Sequence, residues 1–340
     1  METLVSVIIP CFNAQKWLAE AIDSCLAQSY ARVEVIVIDD GSTDRCPEIL
    51  KGYGKRIIWE TGPRRGGNYA RNRGFSLAKG DYIQYLDADD FLLPQKIEHQ
   101  VRFLETTDAD AVYGDWRHLH HRGNSKPELG PVEVSGAQDD ILESLLRDWW
   151  ASLNAYLFRR SVIEQSGGWD EALKVGQDRD FFISLALKGV SYAYQPGCYA
   201  IYRRYGNVTV STANKVLWLE NHWRVLAKAE AQLSQQDKLS VRYRRAMAES
   251  YFSMVRYCHD HITHEHRLRL LKKVVDLDPE FRAEDNRSLP YNLIESALGF
   301  LAAQRLHSYR RQIVLQLRQL QEKPARAPAI RRSQPVHPYP

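Results

Sequence analysis

The feature that most constrains this chain is a series of short, nearly all-apolar segments, each closed by a Pro or an acidic turn and each followed by helical spacing. Val5-Ser6-Val7-Ile8-Ile9 stops at Pro10, and Val33 to Ile38 stops at Asp39-Asp40-Gly41-Ser42-Thr43-Asp44. Segments this short and apolar suit strands covered on both faces, as in parallel sheets. Between them Leu18, Ala21, Ile22, Cys25 and Leu26 recur at helical spacing, an apolar stripe that can lie on such a sheet. The pattern continues with a third strand, Ile57 to Glu60, and the loop Gly62-Pro63-Arg64-Arg65-Gly66-Gly67. Helical spacing over 70–78 then ends at Gly80, and a fourth strand, Tyr82 to Leu86, runs into Asp87-Ala88-Asp89-Asp90. This order dictates an α/β fold with a mostly parallel central sheet flanked by helices.

Further on, a helix is expected over 91–110 with Pro94 near its start, then a strand over 111–113. Residues 118–136 read as a polar surface excursion. Its His118, His120 and His121 have no Cys or carboxylate at ligand spacing, so a loop outweighs a metal site. Residues 199–212, rich in Tyr and Arg, read as irregular. Beyond Asn214 the texture becomes amphipathic and helical over 214–233, 236–258, 262–276 and 290–321, an all-α C-terminal region. The chain thus divides into an α/β domain over 1–212, a helical appendage over 213–322, and a disordered, basic, Pro-rich tail over 323–340.

Charge excludes one class of partner. The tail holds Lys323, Arg326, Arg331 and Arg332 and no acid; without these four, the 46 Lys and Arg fall to equal the 42 Asp and Glu. A balanced body of this kind is not built for nucleic acid. No run reaches the length of a spanning helix and the N-terminus lacks a basic leader, so cytoplasmic residence is the expectation. The helical region is a candidate for peripheral contact with a protein or the inner face of a membrane. Five widely spaced cysteines without a C-x-x-C pair read as reduced core or loop residues.

Ligands of open parallel sheets bind beyond the carboxyl ends of the strands. Two strands here deliver Asp39-Asp40 and Asp87-Ala88-Asp89-Asp90 to that rim. Carboxylates gathered so closely need a counter-charge, and a hard divalent cation such as Mg2+ or Mn2+, shared with phosphate oxygens, supplies one. Neither a G-x-G-x-x-G after strand one nor a P-loop signature occurs, so a diphosphate would be held by metal and arginine, with Arg71 in position and Arg64 and Arg65 nearby.

Val5 to Asn13, Glu34 to Asp44, Ala70-Arg71-Asn72-Arg73-Gly74 and Asp87-Ala88-Asp89-Asp90 resemble, in order, the motifs of family 2 glycosyltransferases with the GT-A fold. The resemblance continues through Gly167-Gly168-Trp169-Asp170-Glu171 and Gln177-Asp178-Arg179-Asp180-Phe181, and covers about 1–212. It implies a GT-A nucleotide-diphospho-sugar transferase that moves a sugar with inversion from a UDP-linked donor to an acceptor hydroxyl. Pro10, Asn13, Asp39 and Asp40 would surround the nucleoside, and Arg71 would approach the diphosphate. Asp89 would ligate the metal, with Asp87 nearer the ribose or the metal's waters, and Asp178 would be the general base. Trp169 would lie near the acceptor. Two positions depart from the family: Gln177 stands where Glu is frequent, and Tyr205 where a His frequently closes the site. Arg203 and Arg204 are then the expected source of positive charge in the closing loop. Asp115 and Trp116, just after a strand, are candidate sugar contacts.

A sugar nucleotidyltransferase would share the sheet and acidic rim but calls for a Gly-rich basic loop after strand one, which Pro10-Cys11-Phe12-Asn13-Ala14 is not. A non-catalytic binding protein on the same scaffold is the other alternative, opposed by intact Asp40, Asp89 and Asp178. The acceptor stays open among a saccharide, a lipid-linked and a protein hydroxyl.

Overall fold

The computed structural model describes residues 3–123, 125–206, 214–258 and 260–282. Residues Met1–Pro279 form one compact unit. The helix expected over 290–321 and the tail over 323–340 lie outside the described residues, as does 207–213 of the closing loop.

The expected sheet is present. β1 (Val5–Cys11) pairs in parallel with β2 (Val33–Asp39) and β4 (Tyr82–Tyr85), and β2 with β3 (Ile58–Thr61). Val7, Ile8, Ile9, Ile36, Val37 and Ile38 are fully buried, which explains their unbroken apolarity. Each such side chain stabilises the fold by about 1.5–3 kcal/mol relative to exposure. Helix α1 (Leu18–Leu26) buries Leu18, Ala21, Ile22 and Cys25 as its stripe predicts. After α2 (Cys46–Tyr53), helix α3 (Gly67–Leu77) comes so near the sheet that a Cβ on Gly74 would lie 2.4 Å from Ile8 Cγ2. Glycine there lets Arg71, one turn earlier, reach the carboxyl edge of the strands.

The rest of the sheet departs from expectation. The helix expected over 91–110 is shorter: Phe91–Leu92 form β5, and α4 spans Lys96–Glu105. The strand expected over 111–113 continues as β6 (Ala111–His121), and the supposed excursion turns back as β7 (Glu128–Glu133), antiparallel to it. After α5 (Ile141–Leu146) come β8 (Tyr156–Arg159), α6 (Arg160–Ser166) and α7 (Gln177–Leu187). The segment read as irregular from 199 is instead the end of β9 (Tyr192–Tyr205), parallel to β6. The strand order is β3-β2-β1-β4-β8-β6-β9-β5, with β7 beside β6.

Helices α8 (Lys215–Gln235), α9 (Val241–Tyr257) and α10 (His264–Leu277) begin with side-chain caps from Asn214, Ser240 and Thr263. No helix among the described residues is long and apolar enough to cross a membrane. Cys11, Cys25, Cys46, Cys198 and Cys258 are free thiols, all buried except the half-buried Cys198.

Candidate active site

The strand register brings the acidic ends together. Cys11 stands beside Asp39, and Ile8 beside both Ile36 and Tyr85, so the β1, β2 and β4 loops share one rim. Asn13, at φ 51°, accepts a bond from the Thr43 amide at 2.8 Å and donates its own amide to Ser42 Oγ at 2.9 Å, fastening the first two loops. Asp39 is 0% exposed; its Oδ1 accepts from the Ser42 amide, while Oδ2 has no hydrogen-bond partner. A buried acceptor left unpaired is expensive, and a ligand N–H would satisfy it. Asp40 has a different task, accepting the amides of Arg65 and Gly66 and so shaping the entry to α3. Pro10 closes β1 beside this rim, paired with Ile38. Phe12, which the residue pattern did not single out, presents a ring 43% exposed with the Arg64 guanidinium 4.9 Å over it.

Arg71 is the centre of the next cluster. Its side chain is almost wholly buried, donates to Asp87 Oδ1 at 2.7 Å and Asn68 Oδ1 at 3.2 Å, and lies 4.6 Å over the Trp169 ring. Burial opposes its charge, but the carboxylates of Asp87 and Asp178 outweigh it and hold the pKa above the usual arginine value. Trp169 stacks on Phe181 at 4.0 Å and meets Tyr85 edge-on, so it forms the floor beneath Arg71.

Asp178 stands in the first turn of α7 and makes no side-chain hydrogen bond among the described residues; Gly176 occupies the cap position. A capping role is therefore excluded. Burial pushes its carboxyl up to about 6; Arg71 pulls the other way, and the like charge of Asp87 adds to the rise. A carboxylate poised there, with both oxygens free, is suited to taking a proton near neutral pH.

In the acidic turn the three carboxylates separate by bonding. Asp90 is buried, accepts the Arg203 amide at 2.8 Å and Asn154 Nδ2 at 3.1 Å, and fastens the turn to β9 and the 153–155 segment. Asp89 Oδ2 accepts from the Tyr205 hydroxyl at 3.0 Å, so Tyr205 reaches the acidic turn. Burial first, then Asp87, raises the Asp89 pKa. Among the described residues no cluster of three or more His, Cys, Asp or Glu could hold a metal. Asp87 Oδ2 and Asp89 Oδ1 nevertheless carry no hydrogen bond in the described residues, leaving two oxygens at the ends of one turn for a hard cation completed by phosphate and water.

Three expected residues make bonds of their own within the protein. Asp115 accepts from the Ser135 amide, Tyr194 hydroxyl and Gly197 amide, and so staples β6 to its neighbours. Alternation along β9 sends Arg203 and Arg204 to opposite faces. Arg203 pairs with Glu20 at 2.8 Å and lies 4.0 Å over Trp17, whereas Arg204 lies over Tyr202. Arg204 stays on the Tyr202 ring, whereas Arg203 also bonds Asp90 of the acidic turn through its amide, and its charge favours the ionised forms of Asp89 and Asp90.

The helical region braces α7. Arg179, next to Asp178, pairs with Asp148 at 2.5 Å and donates to Ser250 of α9 at 2.9 Å. From α8, Lys228 pairs with Asp180 at 2.8 Å and Arg224 with Asp170 at 3.1 Å. His222 packs beneath Gly176, where a Cβ would lie 3.0 Å from its ring. Burial and then Arg179 push its imidazole down to about 4, so it stays neutral.

Comparison with known proteins agrees with this geometry. Residues 6–130 match the family described as Glycosyl transferase family 2. An uncharacterised glycosyltransferase of Rickettsia typhi is 33% identical over 201 residues, 56% of this chain and 62% of that one. Glycosyltransferase GlyG of Streptococcus pneumoniae is 36% identical over 121 residues, 34% of this chain and 40% of that one. The chain thus spans less than two thirds of the length of either relative. In fold it is similar to S. aureus TarS 1–349 in complex with UDP-GlcNAc (TM-score 0.63, 18% identity, 82% of each chain). A mannosyltransferase of Pyrobaculum calidifontis in complex with GDP-Man and Mn2+ has TM-score 0.50 and 17% identity, covering 91% of this chain and 88% of that one. The α/β fold is common to this chain and both solved structures.

Proposed function

We propose that this protein is an inverting glycosyltransferase that moves a sugar from a UDP-linked donor to an acceptor hydroxyl. The observation that carries the reading is the line Asp178–Arg71–Asp87: a free carboxylate with a raised pKa beside a buried guanidinium that is itself paired to the metal motif. TarS, similar in fold, binds UDP-GlcNAc, which supports a nucleotide-sugar donor.

Asp39 Oδ2 accepts the N3–H of uracil, with Phe12 and Arg64 available to cover the base. Arg71 faces the diphosphate. A Mg2+ or Mn2+ held by Asp87 and Asp89 would neutralise charge developing on the departing diphosphate. Asp178 removes the acceptor proton as that oxygen attacks the anomeric carbon; the bond to the diphosphate oxygen breaks and UDP leaves with the electron pair. The new glycosidic bond forms on the face opposite the leaving group, so configuration inverts.

The test is UDP release from a panel of UDP-sugars with Mn2+, by the wild type and by Asp178→Asn. The reading expects Mn2+-dependent release that the variant loses while still binding UDP. Equal release by both would remove Asp178 from the chemistry.

A further inference from the structure

One aromatic face next to the site has no role in donor binding. On β6, Trp116 and His118 share a face; the register sets His118 beside Tyr202 of β9, and the Trp116 and Tyr202 rings meet at 5.9 Å. Trp150, from the segment between α5 and β8, lies 4.9 Å from Trp116 and 6.5 Å from Tyr202. It is 50% exposed, although its neighbour Trp149 is tied by its indole N–H to the Ser135 carbonyl. Arg204 and His120 border the same face.

Both ends of the Trp150 segment are fixed to the reaction centre. Asp148, at its start, pairs with Arg179, the residue after the base. Asn154, at its end, bonds both Asp90 of the acidic turn and the Ile201 carbonyl, one residue before Tyr202. The segment that carries the exposed indole is thus tied to α7 at one end and to the acidic turn at the other, and the indole lies 6.5 Å from Tyr202, whose hydroxyl feels the charges of Asp90, Asp87 and Asp89. Holding a large apolar ring half in water beside a catalytic centre suits a partner with one apolar face.

We infer that Trp150 and Tyr202, backed by the buried ring of Trp116, form an acceptor subsite for a pyranose ring, which makes the acceptor a saccharide; this rests on the transferase reading above. A pyranose presents a face of C–H groups to an indole and a rim of hydroxyls to polar neighbours. Here His118, His120, Arg204 and the Tyr202 hydroxyl surround the rings and offer donors and acceptors to such a rim. The platform itself is aromatic and polar-edged rather than aliphatic, which favours a sugar over an acyl chain.

The test uses the full chain with UDP and Mn2+, titrated with cellotriose, maltotriose and chitotriose, and separately with phosphatidylglycerol vesicles, following tryptophan fluorescence. Saturable binding of at least one trisaccharide is expected, weakened about tenfold or more in Trp150→Ala. Trp150→Phe, which keeps a ring, should retain most of the affinity. UDP binding by each variant reports that the site is folded. Trisaccharide binding that Trp150→Ala leaves unchanged, no trisaccharide binding by the UDP-loaded protein, or Trp150-dependent binding of vesicles alone each overturns the subsite while leaving the donor site intact. Failure of the wild type to bind UDP is the separate result that removes the transferase reading, and the subsite with it.

Discussion

Asp178→Asn should make the protein more stable at neutral pH while abolishing transfer. The fold raises the Asp178 pKa from 3.8 to about 6, through burial above all. A raised acid pKa means that the folded state binds the proton more tightly than the unfolded chain does. The associated stability is complete below 3.8 and is lost as pH rises through about 6, so at pH 7.5 the folded state carries an ill-solvated charge. A shift of this size corresponds to about 3 kcal/mol at 1.36 kcal/mol per pKa unit. Solvent still reaches the carboxylate in part, which reduces the expected gain in Asp178→Asn to about 1–2 kcal/mol, or a few degrees in Tm. Thermal melts of both proteins at pH 5 and pH 7.5 test this: the advantage of the variant should widen with pH. A variant no more stable than wild type at pH 7.5, or a difference that ignores pH, would refute the burial argument. The same pKa sets the acid limb of kcat/KM for the wild type, which should rise through about pH 6.

Three further outcomes follow from particular contacts. Asp39→Asn keeps an acceptor for the Ser42 amide but confronts uracil N3–H with an amide that can turn a donor toward it, so UDP affinity should fall about tenfold or more by calorimetry. Tyr205→Phe frees Asp89 Oδ2 from its hydroxyl partner; half-saturation by Mn2+ should shift to a concentration about two- to tenfold lower, and an increase would contradict the idea that hydroxyl and cation compete. Arg179→Met removes the ion pair to Asp148, which keeps the Ser250 hydroxyl, and should lower stability by about 1–2 kcal/mol in chemical denaturation; a neutral result would mean that this pair does not brace the catalytic helix.

β1 and β2 were legible because burial on both faces leaves Val and Ile runs with abrupt Pro and Asp ends, a pattern that polar loops do not imitate. The hairpin of β6 and β7 and the length of β9 were hidden. Their alternation is carried by Trp, His, Tyr and Arg, whose rings pack edge to face and are half apolar, so hydropathy registers a polar loop. Residue types alone also cannot rank neighbouring carboxylates. Asp87, Asp89 and Asp90 look alike in sequence, and only Asn154 and the Arg203 amide, distant along the chain, distinguish Asp90 as the structural one. The same holds for Asp115, whose three donors come from residues 135, 194 and 197. Asp39 and Asp40 divide their tasks in this way too, one leaving an oxygen unpaired and the other closing the loop before α3.

The central claim is a nucleotide site whose diphosphate is completed by a cation on Asp87 and Asp89. Calorimetric titration of UDP into the full chain, with and without Mn2+, in wild type and Asp89→Ala, tests it most directly. The account predicts saturable UDP binding, tightened about tenfold or more by Mn2+, with that tightening lost in the variant and with GDP and dTDP bound more weakly. No UDP binding under either condition, or an unchanged Mn2+ effect in Asp89→Ala, would contradict it.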